Sequence, residues 1–349
     1  MPDGRGLACA AGGFHVDPWK PVDMAVITHG HADHATRGHA RYICSKLSEP
    51  ILRHRIGRDI DITALDWGEQ LELGDATVSL HPAGHVLGSA QVRVEVGGRV
   101  WVAAGDYKRQ ADPTCEPFEV VPCDGFVTEA TFALPIYTWQ PGAEVAAEIL
   151  AWWDANREAE KASVLCAYGL GKAQRVLGEL ARLTDRPVYI HGALEAMTRV
   201  YREAGVEMLP AWTIARSVKG GKGRAPMRGQ LVLAPPGAVN SPWVRRLGSA
   251  KDVDVAFASG WMRVRGVRRR RGYDRGFVIS DHADWPDLLR TIEETGATSV
   301  RTTHGYSEVL ARHLAERGLD ARPLETTYGD DEEAGDVDAN GEDIEGGDA

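Results

Sequence analysis

Four side chains able to bind a metal fall within six residues: His29, His31, Asp33 and His34 in His29-Gly30-His31-Ala32-Asp33-His34. Neither a helix nor a strand can aim all four one way, but a loop just past a strand end can fan them around two neighbouring points. Imidazole with carboxylate suits zinc and tolerates manganese or iron. An isolated His-x-His pair is more often a solvated loop. This cluster instead follows the apolar run Ala25-Val26-Ile27-Thr28, which reads as a buried strand ending abruptly in a turn.

The hexapeptide resembles the signature of the metallo-β-lactamase superfamily, and partners for a dinuclear site occur in order along the chain. Asp17 closes Phe14-His15-Val16 ahead of Pro18, and His85 lies within His81-Pro82-Ala83-Gly84-His85-Val86-Leu87-Gly88-Ser89. Asp106 follows Val100 to Ala104 and Gly105, and His304 follows Ser299 to Thr303. The resemblance implies that His29, His31 and His85 hold one ion, that Asp33, His34 and His304 hold the other, and that Asp106 bridges them. It also gives Asp33 a part in catalysis, while Asp17 would orient the ligand loop from behind through backbone N–H groups. The expected cofactors are two divalent ions, zinc with manganese as the alternative. Such a pair acidifies a shared water and neutralises charge on a phosphodiester.

A chain of 349 residues is long enough for two cores. Its formal net charge of −10 is unevenly spread: residues 330–349 hold ten carboxylates and no Lys or Arg, which leaves the rest near neutral. A near-neutral body with local basic patches does not repel nucleic acid. Five cysteines without a C-x-x-C pair fit a reducing compartment. With no secretory leader pattern and no membrane-length apolar run, a cytoplasmic setting is expected, with no membrane partner.

Up to about residue 130 the chain reads as short strands and turns, with Gly97-Gly98 as a tight hairpin. After Pro135 strands and helices alternate, as in a parallel α/β unit. The first pattern resumes at Phe277-Val278-Ile279-Ser280 and leads, through a helix starting at Pro286, to the His304 strand and a last helix from Ser307 to Arg317. The expected fold class is α/β: a metallo-β-lactamase αββα sandwich with an inserted α/β, β-CASP-like domain. The sandwich is expected to occupy 1–140 and 276–328, the insertion 141–275, and a disordered acidic tail 329–349.

The later motifs resemble the β-CASP nucleases more narrowly. Thr128-Glu129-Ala130-Thr131 is similar to their acidic motif, Asp281-His282-Ala283-Asp284 to the second, and Thr303-His304-Gly305 to the third. The resemblance makes Glu129 and His282 a carboxylate–imidazole pair, with His282 as general acid at the leaving oxygen. Alone, His282 would read as a residue capping the Pro286 helix. Substrate phosphate contacts are expected from Lys172, in Gly169-Leu170-Gly171-Lys172 opening a helix, and from Ser259 in Ala258-Ser259-Gly260-Trp261. They are also expected from Arg263, Arg265, Arg268, Arg269, Arg270 and Arg271, six arginines in nine residues. The bland alternative for that run is a solvated loop.

Together these stretches, from about residue 5 to 325, resemble the bacterial ligase-associated DNA exonucleases, relatives of cross-link-repair exonucleases and of messenger-RNA 3′-end processing factors. The resemblance implies a DNA exonuclease working on single strands or free ends, with a ligase and helicase of the same repair cluster as partners. A β-CASP ribonuclease acting on RNA is the alternative. A small-molecule hydrolase would need neither the inserted unit nor the arginines, and a dead nucleic-acid-binding scaffold would not need the full ligand set.

Overall fold

The computed structural model describes residues 2–214, 227–239, 241–266 and 275–324. Its first sheet lays β1 (Leu7–Cys9), β2 (Phe14–Val16), β3 (Met24–Val26), β4 (Arg41–Ser45) and β5 (Ile62–Leu65) side by side in chain order. All neighbours beyond the β1–β2 pair are parallel. Helix α1 (Glu49–Arg55) lies between β4 and β5 in the chain. A second sheet begins with β6 (Leu71–Leu73), β7 (Ala76–Pro82), β8 (Ala90–Val96), β9 (Arg99–Ala103) and β10 (Gly125–Glu129). The β8–β9 hairpin turns on Gly97 and Gly98, both at positive φ (57° and 76°), which only glycine adopts without cost.

The chain then leaves this sheet. Helix α2 (Gly142–Glu158), β11 (Ala162–Cys166), α3 (Lys172–Ala181), β12 (Val188–Ile190), α4 (Glu195–Glu203), β13 (Ala211–Thr213), β14 (Leu231–Ala234), β15 (Val253–Ala258) and β16 (Arg275–Phe277) build a third sheet. Its order is β13-β12-β14-β11-β15-β16, and every pair is parallel. After α5 (Trp285–Thr295), β17 (Ser299–Thr303) returns to pair with β10; α6 (Ser307–Ala315) and β18 (Asp320–Pro323) complete the second sheet's edge.

Packing follows from which faces are apolar. Phe14, Val16, Val26, Ile43 and Leu65 of the first sheet share one cluster with Val78, Leu80 and Val92 of the second. The first sheet's other face puts Ala25, Tyr42 and Cys44 against Leu52 of α1. Because β4 is covered on both faces, it reads as an unbroken apolar run rather than an alternating one. The second sheet's outer face packs Val102, Phe126 and Val300 against Leu288 and Ile292 of α5 and Leu310 and Leu314 of α6. The third sheet has its own cores, with α2 and α3 on one face. It meets the first two sheets through Ile51 and Leu87, which pack with Leu170, Met197 and Tyr201.

One expectation is corrected. Arg275–Phe277 pairs with Ala256–Ala258 at the edge of the third sheet, so the run ending in Ser280 starts in that sheet rather than resuming the earlier pattern. Apolar periodicity marks a strand but not the sheet it joins. Among the described residues no helix is long and apolar enough to cross a membrane.

Candidate metal centre

The His29–His34 loop leaves the carboxyl end of β3 and is fastened from behind by Asp17. One Asp17 oxygen accepts the Thr28 N–H at 2.8 Å; the other accepts the Thr28 hydroxyl at 2.6 Å and faces His34 Nδ1 at 2.8 Å. Asp17 thus orients the loop through one backbone N–H, one hydroxyl and one ligand-type ring, a more varied set than the sequence suggested. Asp17 (φ 41°) and His304 (φ 58°) are two of the three non-glycine residues at positive φ among the described residues. Strain of that kind, about 1–3 kcal/mol per residue, persists where the surroundings impose it and concentrates at functional sites. Gly105 precedes Asp106 at φ 58°, and a Cβ there would sit 2.7 Å from Thr28 Cβ.

Two donor groups form around Asp106. His29, His31, His85 and Asp106 each offer an atom within 4.8 Å of the others, and Asp33, His34 and His304 form a second set by the same measure. Asp106 Oδ2 lies 3.3 Å from His29 Nε2, 3.8 Å from His85 Nε2 and 3.5 Å from His34 Nε2, so one carboxylate faces both sets. His34 Nε2 is also 3.5 Å from Asp33 Oδ2, and its ring stacks on His304 at 5.3 Å.

The rings are turned by their outer partners. His85 Nδ1 donates to the Asp281 carbonyl at 2.7 Å, and His31 Nε2 to the Leu170 carbonyl at 3.2 Å. That leaves His31 Nδ1 and His85 Nε2 facing each other at 3.0 Å, where two lone pairs repel unless a cation lies between them. Burial, reinforced by neighbouring imidazoles, holds His29 and His85 well below the usual imidazole pKa, hence neutral and able to ligate. His29 Nε2 is buried and makes no hydrogen bond among the described residues. At His34 burial works to lower the pKa, yet Asp33, Asp106 and Asp17 outweigh it and hold it well above the usual value. That corner of the site demands positive charge, which a divalent ion would supply in place of a proton. The donor set fits a pair of divalent ions.

Beside these groups, Glu129 at the end of β10 faces His282. Glu129 Oε2 lies 2.9 Å from His282 Nδ1, and Oε1 accepts the Tyr107 N–H at 2.9 Å. Both residues are buried. His282 sits one turn ahead of α5, whose N-cap is Asp284, accepting the Asp287 N–H at 3.0 Å, with Pro286 in the first turn. The capping role therefore falls to Asp284.

The residues expected at phosphate are placed less uniformly. Lys172 is buried, 3.4 Å from Asp281 Oδ2 and over the Tyr168 ring. The N-terminus of α3 is taken up locally, since Gln174 Oε1 accepts the Gly171 N–H at 2.8 Å. Ser259 is buried and accepts the Trp261 N–H. Arg263 Nε donates to the Ile136 carbonyl at 3.3 Å, and Arg265 is exposed. Arg268, Arg269, Arg270 and Arg271 lie outside the described residues. Sequence reasoning missed Lys108, Asp112 and Arg175, which cluster around Asp281. The available signal was Lys172, Arg175 and Glu179 at helical spacing along one face of α3.

No family model matches the chain. Among curated proteins it is 32% identical over 319 residues to a probable DNA ligase of Opitutus terrae, an alignment covering 91% of this chain and 30% of the relative. It is 26% identical over 194 residues to Endoribonuclease YSH1 of Yarrowia lipolytica, covering 45% of this chain and 23% of the relative. To an RNase J-like protein of Methanocaldococcus jannaschii it is 21% identical over 214 residues, covering 52% and 50%. The chain thus spans half or less of the length of these relatives. A solved structure from Enterococcus faecalis V583, of a protein of unknown function, superposes with a TM-score of 0.54 at 10% identity, covering 88% of this chain and 80% of that one, a likeness of fold alone. With a histidine–aspartate set in the expected order and relatives of this kind, the chain belongs to the metallo-β-lactamase/β-CASP superfamily.

Proposed function

We propose that the chain is a metal-dependent phosphodiesterase acting on DNA ends, an exonuclease of the ligase-associated repair type. The observation that carries this reading is the gathering of seven ligand-type side chains into two sets that Asp106 faces, with the Glu129–His282 pair alongside. His29, His31 and His85 would hold one ion, Asp33, His34 and His304 the other, with Asp106 between them. When bound, the ions would activate water and neutralise charge at the phosphate.

The chain's own residues do the rest. Asp17 fixes His34 and Thr28, while the Asp281 and Leu170 carbonyls fix the tautomers of His85 and His31. Glu129 would accept a charge-assisted hydrogen bond from Nδ1–H of protonated His282, leaving Nε2 to give its proton to the departing oxygen. Asp33, whose side chain is 34% exposed against 2% for Asp106, would meet incoming water and substrate.

We read the two packed sheets as the metallo-β-lactamase sandwich, within 1–140 and 276–328 apart from the end of β16, which extends the third sheet, and residues 141–275 as a β-CASP-like insertion that clamps nucleic acid. In the parallel third sheet the loops after β11 and β15 leave carboxyl ends, the edge where open α/β sheets bind ligands. Arg263 and Arg265, in the segment after β15, would track the phosphate backbone there; the proposal extends to Arg268 to Arg271, which lie outside the described residues. A ligase of the same repair cluster is the proposed partner, since the relative matched over most of this chain is named a probable DNA ligase. A ribonuclease is the second reading, favoured by the relatives named endoribonuclease.

End-labelled DNA and RNA of equal sequence, incubated with zinc or manganese, separate the two. Progressive shortening of the DNA is expected. Preferential cleavage of RNA would install the second reading, and cleavage of neither after metal reconstitution would remove both.

A further inference from the structure

Five ionisable side chains that are not ligands are buried together where the third sheet meets the first two. Lys108 Nζ lies 2.5 Å from Asp112 Oδ2 and 4.0 Å from Asp281 Oδ1. Lys172 Nζ approaches the other Asp281 oxygen at 3.4 Å. Arg175, on α3, brings Nε to 3.5 Å from Asp112 Oδ2 and Nη1 to 3.6 Å from Asp281 Oδ1. The same Nη1 donates to the Ser280 carbonyl, and Nη2 donates to Gln110 Oε1 at 3.3 Å. The Arg175 side chain is only 1% exposed. One guanidinium therefore joins three segments: α3, the loop after β9, and the turn after β16.

Adhesion alone does not account for this cluster. Burying charges costs desolvation that apolar packing of similar volume avoids, and the interface already has apolar packing around Leu87 and Tyr201. The two segments that Arg175 grips both lead into the site. The Asp281 carbonyl takes the His85 Nδ1 proton at 2.7 Å, and the next residue is His282. The loop after β9 carries Asp106; the Tyr107 N–H reaches Glu129, and the Tyr107 carbonyl accepts the Ala283 N–H at 2.6 Å. A shift of either segment would move a ligand ring or the proposed acid.

We propose that Arg175 is a positioning residue: its guanidinium fixes the Ser280–His282 turn against the Asp106–Asp112 loop, and through them the rings of His85 and His282. This deepens the phosphodiesterase reading and rests on it. It also means that helix α3 of the insertion completes the site, because the catalytic turn is held by a side chain from the third sheet's layer.

The test uses the whole chain with Arg175→Lys, which keeps the charge and loses the fork, and Asp112→Asn, which keeps Arg175 and removes one anchor. For Arg175→Lys, metal affinity measured by chelator competition should fall about 10–100-fold, the usual effect of losing a residue behind a ligand. At saturating metal, kcat on an oligonucleotide should fall by about the same factor, with KM within about threefold, because the interaction acts on the reacting geometry. In a His282→Ala background the kcat loss from Arg175→Lys should shrink to about threefold or less, since both changes act through one ring, while the metal effect persists. Asp112→Asn should move each quantity the same way by less.

Metal affinity and kcat within about twofold of the parent, or an undiminished kcat effect beside His282→Ala, would overturn the proposal. So would both variants melting below the assay temperature by circular dichroism, which would make the cluster a folding element. A parent protein that binds no metal and cleaves no phosphodiester brings down the proposed function instead, a result distinct from an active parent with indifferent variants.

Discussion

Glu129→Gln probes the buried acid pair with almost no change of shape. Glu129 is 1% exposed and accepts two N–H groups, from Tyr107 and His282, each at 2.9 Å. A glutamine offers one oxygen for those two donors. If the oxygen stays with Tyr107, the amide NH₂ meets His282 Nδ1, which must then present a lone pair; the ring is locked neutral with its proton on Nε2. If the oxygen turns to His282, the NH₂ faces the Tyr107 N–H and leaves a buried backbone donor unmet, at about 1–3 kcal/mol. The first arrangement is the cheaper, and a neutral imidazole N–H is a far weaker acid than an imidazolium. The expected loss is therefore that of the general acid itself, about 10²–10⁴-fold in kcat on an oligonucleotide. At about 1.36 kcal/mol per decade that is roughly 2.7–5.4 kcal/mol of barrier. Bis-p-nitrophenyl phosphate, whose leaving group departs without a proton, should recover most of the activity, and Glu129→Gln with His282→Ala should be no slower than His282→Ala alone. Equal losses on both substrates would refute the acid role. So would loss of a metal ion, because Glu129, His282 and Asp106 bring donor atoms within 4.8 Å and would then form a ligand set of their own.

Asp106→Ala removes a carboxylate that faces both donor sets; elemental analysis should show about two divalent ions per parent chain and near zero in the variant. Asp17→Asn should weaken metal binding about 10–100-fold, because an amide cannot accept the Thr28 and His34 protons as the carboxylate does, and chelator competition reads this directly. At Asp112 burial works to raise the pKa, but Lys108 and Arg175 outweigh it and hold it below 3.8. As pH falls, the unfolded state therefore takes up this proton first. The stabilising contribution is full above the ordinary carboxylate value and is lost below it. Urea midpoints measured from about pH 6 down to about pH 3 should drop, and Asp112→Asn should flatten that drop.

The ligands were legible because they cluster in the loops just past the ends of short strands, a purely local pattern. His29 follows β3, Asp106 follows β9 and His304 follows β17. The strand–helix alternation from α2 to β15 was legible for the same reason. What pattern could not supply is pairing across the fold. Arg175 meets Ser280 across 105 residues and Gln110 across 65, and the docking of the third sheet sets both contacts. Lys172 shows what a motif leaves unread. A glycine-rich turn opening a helix suggests a phosphate seat, yet Gln174 caps this one from within and Asp281 takes the lysine. The left-handed backbone at Asp17 and His304 had no sequence signal either, since neither residue is a glycine.

The outer partners of the ligand rings show what the third sheet contributes. His34 is oriented by a carboxylate, Asp17, that comes from the same sheet as its own loop. His31 and His85 are oriented by carbonyls of Leu170 and Asp281, 139 and 196 residues further along the chain. Leu170 lies in the loop that ends β11, and Asp281 in the turn that leaves β16, so both carbonyls depend on the third sheet being docked. A backbone carbonyl can take a ring proton only where the chain carrying it is held, and here the buried charges around Arg175 and the apolar contacts of Leu170 hold it. Five of the seven donors thus come with the first two sheets, whereas His31 and His85 take their tautomers from segments that the third sheet brings in.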